Sequence, residues 1–364
     1  MNLNLIILLI VIIFYLLSAS QLNQANTKKN LIILACTLLT LQSGLRHVCV
    51  GSDTYGYYGS FVSVIETSWT EVFAGFFVNS EEFRDPGYRV VEKIMSLIPS
   101  WQFYLLMLAV FYYYSLGRLM YRYIHTKEGV LLAVLLALSL FNIIAMSGMR
   151  QQITMALSMF LIPYLEERRW WRVLSVVLIG SVIHISFLFY LLFIPLQCVK
   201  FKNYKSLLGI SILLIPIILV GARGIVGFMA SFLENDYYAG YATEIEQSTP
   251  YVYLLMCTFV SIFILVNNVH MKTAPHFFYS AIILMTLTFP LIILNGSLIR
   301  IAQYFTIYMM MFLPFVIEQM KDKKIYYLSI SAILSIYILT KSEDYFFFWY
   351  QNPQYEVSPI LTWM

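Results

Sequence analysis

The feature that most constrains this chain is a succession of apolar runs, about 17–22 residues each, separated mostly by short polar loops. That is the length a helix needs to cross a bilayer's hydrocarbon core. In lipid every backbone N–H and C=O must be bonded within its own segment, so such runs fold as helices. They lie at 3–20, 30–45, 99–117, 129–147, 151–165, 172–198, 206–222, 250–267, 276–295, 299–319 and 325–340. The 364 residues are 60% hydrophobic and 12% charged, far more apolar than a soluble domain of this size. The expected fold is all-α, a polytopic integral membrane protein with about ten transmembrane helices. No internal repeat divides it, so 1–364 reads as a single integral-membrane domain. Its long connections are 46–98 and 223–249. The first run, from Leu3, lacks a basic leader and a small-residue cleavage site, and reads as a retained helix rather than a signal peptide.

Basic residues orient the helices, because cytoplasmic loops carry the excess of Lys and Arg. Lys28, Lys29, Arg118, Arg122, Lys127, Arg168, Arg169 and Arg172 fall in three loops on one side, read as cytoplasmic. If 172–198 is one straight span, the 23 basic residues divide as 11 inside and 12 outside and show no bias. If that segment breaks or re-enters near His184, Lys200, Lys202, Lys205, Lys272, Lys321, Lys323 and Lys324 join the cytoplasmic side. A re-entrant or broken helix near His184 is therefore expected. Loops 46–98 and 223–249 then face outwards, with Arg46, Arg84, Arg89, Arg150, Arg223 and Arg300. Arginine's planar fork suits phosphate and carboxylate, so this outer surplus points to an anionic ligand.

Ionisable groups at membrane depth are costly and mark functional-site candidates. Arg150 opens an apolar run with Gln151 and Gln152; the structural alternative is a snorkelling anchor. His184 stands alone in an apolar run, as a base or donor, or as a structural histidine bonded to a carbonyl. Arg46 leaves the second run, followed by Asp53 among Tyr55, Tyr57 and Tyr58. A Gly-Ser-Asp-Thr run is also an ordinary turn and helix cap. The stretch RDPGYRVVEKIMSLI predicts an amphipathic outer helix, with Arg84, Asp85, Tyr88, Arg89 and Glu92 facing a cavity or solvent. Arg300 sits in NGSLIRIAQYF with Tyr304 one turn on.

Several classes are disfavoured. Cys36, Cys49, Cys198 and Cys257 are scattered without a CxxC pair, so neither a disulfide framework nor a metal site is expected. No phosphate-binding loop, Ser-His-Asp set or DxD pair is present, and no basic stripe suggests nucleic acid. A lipid-embedded substrate with an anionic head group fits better than a soluble nucleotide.

These segments together resemble the EpsG-like branch of Wzy-type polysaccharide polymerases. The carriers are Arg46 with VGSDTYGYY, DPGY, the MRQQ around Arg150, the HIS at His184, Arg300 with QYF, and the tail FFFWYQNPQY. Asp85 departs from the pattern, which leads one to expect Glu before the Gly-Tyr pair, so the resemblance assigns that acid no role. The resemblance implies a GT-C-like, metal-independent glycosyltransferase without cofactor, in the bacterial cytoplasmic (inner) membrane with its site facing the periplasm or exterior. It would polymerise oligosaccharide units carried on undecaprenyl pyrophosphate as donor and acceptor. Membrane lipid, a chain-length regulator and a flippase are the implied partners, for an O-antigen, capsule or exopolysaccharide. Arg150 and Arg300, then Arg46, would offset charge on the leaving pyrophosphate, with Arg89, Arg223 and Gln151 as further binding residues. Asp53 and His184 are the candidate bases, and Tyr57, Tyr58 and Tyr304 would contact sugar. The alternatives are a transporter or flippase, a ligase of lipid-linked oligosaccharides, or a non-catalytic subunit of an envelope assembly.

Overall fold

The computed structural model describes residues 3–18, 24–77, 85–198, 204–232, 251–267, 274–293, 295–340 and 345–349, with side chains at 24, 222–223 and 225–232 excepted. The described residues are helical throughout apart from short turns and one isolated antiparallel bridge, Arg46 to Phe347. In chain order the helices are α1 (Leu3–Leu17), α2 (Gln24–Gly44), α3 (Thr54–Glu66), α4 (Trp69–Ala74), α5 (Pro86–Met95) and α6 (Trp101–Tyr123). Then come α7 (Lys127–Leu136), a π-helical turn (Ala137–Phe141), α8 (Asn142–Met146), α9 (Met149–Glu166) and α10 (Trp170–Ile183). A 3₁₀ helix (Ile185–Leu192) leads into α11 (Phe193–Cys198), followed by α12 (Tyr204–Phe232), α13 (Tyr251–Val266) and α14 (His276–Thr288). The last helices are α15 (Ile299–Thr306), α16 (Met309–Glu318) and α17 (Lys323–Thr340).

Within the described residues, each apolar run of the sequence is thus largely helical. Leu213, Ile217, Leu328 and Ile336 lie exposed on these helices, as lipid-facing side chains do and as water would penalise. The chain is a multi-pass membrane protein. Among the described residues, however, only four helices are long and apolar enough to span as they stand: Trp101–Tyr123, Lys127–Met146, Tyr204–Gly221 and His276–Ile293. A fifth is the pair Gly296–Thr306 and Met309–Glu318, bent by 47°. The expected count of about ten is not met by this measure because several runs are short or interrupted. At 1.5 Å per residue, α1, α10 and α13 reach only about 21–24 Å against about 30 Å of hydrocarbon. The interruption in 172–198 falls at His184: α10 ends at Ile183 and the 3₁₀ helix starts at Ile185.

Local signals start the helices where they start. Ser100 accepts from the Phe103 N–H at 3.2 Å to open α6, and Thr126 accepts from the Gly129 N–H at 3.1 Å to open α7. Ser68 and Glu71 form a reciprocal capping box on α4, which satisfies two otherwise orphaned N–H groups. The expected long outer connection at 46–98 contains α3, α4 and α5, and the amphipathic helix anticipated after Asp85 is α5. The expected loop at 223–249 begins later than predicted, since α12 continues to Phe232; residues 233–250 lie outside the described residues.

Contacts group the chain into two compact units. The first comprises 1–161, 175–185 and 321–364, the second 162–174 and 186–320. In the first, α2 packs along α6, α1 and α7, α17 covers α7, and α3 and α4 pack on α5. In the second, α14 is the hub, meeting α11, α12, α13 and α15.

Candidate functional site

The DPGY stretch shows how the first unit assembles its polar centre. Pro86 occupies the first turn of α5, where a missing N–H costs nothing. Asp85 sits at the N-cap, yet its side chain makes no cap hydrogen bond and instead bonds the Arg150 guanidinium. Gly87 faces the end of α10: a Cβ there would lie 2.9 Å from the Val182 carbonyl carbon and oxygen. Only glycine permits that approach. Tyr88 is buried in the core with Phe61, Trp101 and Met149. Asp85, Gly87 and Tyr88 therefore hold α5 against α9 or α10.

Arg150 lies in the first turn of α9. Its Nη1 donates to Asp85 Oδ2, and its Nε donates to the Tyr57 hydroxyl at 3.2 Å. The guanidinium carbon stands 5.6 Å from the Tyr57 ring centre, within cation–π range. Tyr57 is itself braced edge-on by Tyr88, at 5.5 Å between centroids. His184 approaches the same carboxylate oxygen from the broken end of α10, with Nδ1 3.8 Å from Asp85 Oδ2. Asp85 is 3% exposed, His184 5% and Arg150 23%. An unpaired carboxylate at that depth would cost several kcal/mol, and the arginine offsets it. The outcome is one buried anion shared by a cation and an imidazole, with part of the cation open.

A second acid lies two helical turns further on, on the same face. Glu92 is fully buried on α5, and the Ser60 hydroxyl donates to its Oε2 at 2.8 Å. Burial pushes its carboxyl up to about 7, against the opposing pull of the Ser60 bond and of Arg89 and Arg150. Arg89 reaches Ser60 Oγ and Ser63 Oγ, both at 3.0 Å, and stands 4.0 Å from Glu92. It clasps α5 to α3.

The other anticipated residues fall in different settings. Arg46, expected at a cavity mouth, is 1% exposed. Its Nη1 donates to the Ser43 carbonyl at 2.5 Å and to Ser43 Oγ at 3.1 Å, at the C-terminal end of α2. The C-terminal aromatics close over that end: the His47 N–H donates to the Phe346 carbonyl at 2.8 Å, and the Phe348 N–H to the Leu45 carbonyl at 2.9 Å. Burial pulls the Arg46 guanidinium down to about 10, so it remains a cation at neutral pH, complementing the negative helix end. Asp53 occupies the N-cap position of α3 without a side-chain cap bond. Its N–H donates to Ser147 Oγ at 3.2 Å. The turn before it requires Gly51, which has φ +95° and no room for a Cβ beside the Met146 carbonyl. Tyr58 packs edge-on against Trp101 at 5.5 Å. Gln151 and Gln152 are buried. In the second unit, Arg300 is half-buried in the first turn of α15. Tyr304 is fully buried there against Phe187, so its ring offers no open face to a sugar in this packing. Arg84 and the Arg223 side chain lie outside the described residues.

Sequence reasoning singled out Arg150 and His184, which the structure brings to one carboxylate, but it gave Asp85 no role and left Glu92 as a solvent or cavity residue. An Asp before Pro-Gly reads as a helix cap, which conceals a charge partner. The available signal was the spacing Asp85, Tyr88, Glu92, which puts two acids and a tyrosine on one face of an amphipathic helix.

A family comparison covers this whole arrangement. The EpsG family matches residues 29–359, which include α5, α9, α10 and the C-terminal aromatics. No curated protein and no solved structure matches the chain. The segments carrying Arg46, Asp85, Arg150, His184 and Arg300 all lie within the matched span, and the chain belongs to the EpsG family, a family of Wzy-like polymerases.

Proposed function

We propose that this chain polymerises oligosaccharide repeat units carried on undecaprenyl pyrophosphate, at the outer face of the bacterial cytoplasmic membrane. The observation that carries the reading is Asp85 held between Arg150 and His184, in a chain of the EpsG family. The acceptor's sugar hydroxyl attacks the anomeric carbon of the donor. The bond from that carbon to the pyrophosphate oxygen breaks, and its electron pair leaves on the phosphate. Arg150, anchored by Asp85 and Tyr57, presents its open edge to that growing charge; a preoriented donor acts most strongly where water is excluded. The hydroxyl proton passes to His184 Nε2, while Nδ1 faces Asp85, which steadies the imidazolium that forms. His184 rather than Asp53 is proposed as the base because it is the candidate that faces a carboxylate.

Arg300 is proposed as a further pyrophosphate ligand on its sequence context. The proposed topology is GT-C-like, with about ten spans, the segment through His184 turning back to the outer side. The leaving group is already activated, so the transfer is proposed to be metal-independent. A flippase supplying the units and a chain-length regulator complete the proposed setting.

The deciding experiment incubates the purified protein with its lipid-linked repeat unit, with and without EDTA, and resolves the products on a gel. A ladder of lengthened glycans, unchanged by EDTA, is expected. Absence of a ladder with the cognate unit overturns the polymerase reading, and loss of the ladder in EDTA overturns the metal-free mechanism.

A further inference from the structure

The first unit contains a cavity of about 310 Å³ whose wall chemistry differs from that of the Arg150 cluster. It lies among the start of α1, the end of α2, the 50–52 turn, α8 and Tyr345. Three carboxamides meet on its wall. Gln42 Nε2 donates to Asn4 Oδ1 at 2.6 Å, and Asn142 Nδ2 donates to the same oxygen at 3.1 Å. Both donors converge on one acceptor, and this leaves Gln42 Oε1 and Asn142 Oδ1 buried without a hydrogen-bond partner among the described residues. Gln42 is 3% exposed and Asn142 8%. An orphaned amide oxygen costs about 1–3 kcal/mol, a penalty that a donor-rich ligand relieves.

We propose that this cavity is a subsite for one neutral sugar residue of the glycan, a role that rests on the polymerase reading above. The volume is at the small end of ligand pockets, about 300–1,000 Å³, which suits a single pyranose. Among the described residues no Lys, Arg, Asp or Glu lines it, so it is unsuited to pyrophosphate and suited to an uncharged ring. Sugar hydroxyls are the donors that Gln42 Oε1 and Asn142 Oδ1 lack. The apolar remainder, including Leu3, Val50, Met146 and Tyr345, suits the C–H face of a pyranose. Two further features tie the cavity to the reaction. Ser147 lines it, bonds Ser52 Oγ at 2.7 Å, and lies one helical turn before Arg150. The π-helical turn Ala137–Phe141 immediately precedes Asn142. Such turns recur at functional sites, and here one extra residue rotates the following face by about 100°.

The test uses the full-length protein in nanodiscs and saturation-transfer NMR with methyl glycosides of glucose, galactose, rhamnose and N-acetylglucosamine. At least one glycoside is expected to bind at about 1–10 mM, the range for a small neutral fragment. Asn142→Leu should weaken that signal at least tenfold, and Arg150→Ala should leave it in place. Ser52→Phe, which blocks the cavity rim, serves as a second variant should Asn142→Leu fold poorly by thermal scan. No glycoside signal, or a signal unmoved by both cavity variants, overturns the subsite. A higher melting temperature in Asn142→Leu with an unchanged glycoside signal also overturns it, showing a structural void. Glycoside binding without ladder formation defeats the polymerase reading and leaves the subsite standing. Ladder formation without glycoside binding does the reverse.

Discussion

Arg46 and Arg150 are both arginines at helix ends of the first unit, and the protein uses them in opposite ways. Arg46 turns back on its own helix, bonding Ser43 three residues earlier under a cover of C-terminal aromatics. Arg150 bonds a carboxylate and a phenol from two other helices and keeps 23% of its side chain open. The first arrangement ties one edge of the guanidinium to its own helix end and leaves Nε and Nη2 buried without a hydrogen-bond partner among the described residues. The second holds the charge in place while leaving one edge open. Burial alone therefore does not distinguish the two arginines; the origin of their partners does.

The largest expected effect tests that contrast directly. Arg150→Ala should lower the polymerisation rate by about 10²–10³-fold, the loss seen when one preoriented oxyanion donor is removed. Arg150→Lys should recover little, because an ammonium cannot hold Asp85 and Tyr57 together. Initial ladder rates measure both. Next comes Asp85→Asn, expected to cost about 10–100-fold by loosening Arg150 and losing support for the His184 imidazolium. In a double-mutant cycle with Arg150→Ala the losses should fall short of additive, since the pair acts as a unit; simple additivity would separate Asp85 from the site.

Arg46→Ala should act on stability, not chemistry. It removes a packed side chain and the bonds at the end of α2, at a cost of about 2–4 kcal/mol. The thermal midpoint should fall, with the rate per folded molecule within about threefold of the parent, a bound far below the donor-removal loss. A hundredfold rate loss at an unchanged midpoint would return Arg46 to the substrate site. The smallest effect concerns Glu92. Its folded carboxyl is raised to about 7 by burial, above its unfolded value, so the folded state favours the protonated form. Its contribution is fully present below the unfolded pKa, about 4.3, and is lost as pH rises through 7. Midpoints measured from pH 5 to 8 should decline in the parent and flatten in Glu92→Gln.

Much of this protein was legible in its sequence, for definable reasons. Helices recur wherever apolar runs approach membrane length, because lipid leaves the backbone no other way to satisfy itself. The break at His184 was legible from the placement of lysines and arginines beyond it. Arg150 was legible as a charge in an apolar setting. Asp85 was not, because its partners are supplied by α9 and α10, and nothing local distinguishes an acid that caps its own helix from one that reaches away. The cap role of Arg46 was hidden for the same reason, since the covering chain comes from Phe346 and Phe348.

The sequence by itself determined a membrane-embedded all-α chain, its helical runs and its family, all properties written in composition, periodicity and short ordered motifs. Only the tertiary structure decided which acid meets Arg150, which arginine bonds its own helix end, and that Asn142 and Gln42 share one cavity wall. Those outcomes depend on the approach of helices distant in the chain. Gly87 against the Val182 backbone illustrates the cause: a contact that only the absence of a side chain permits sets where the charges come to lie.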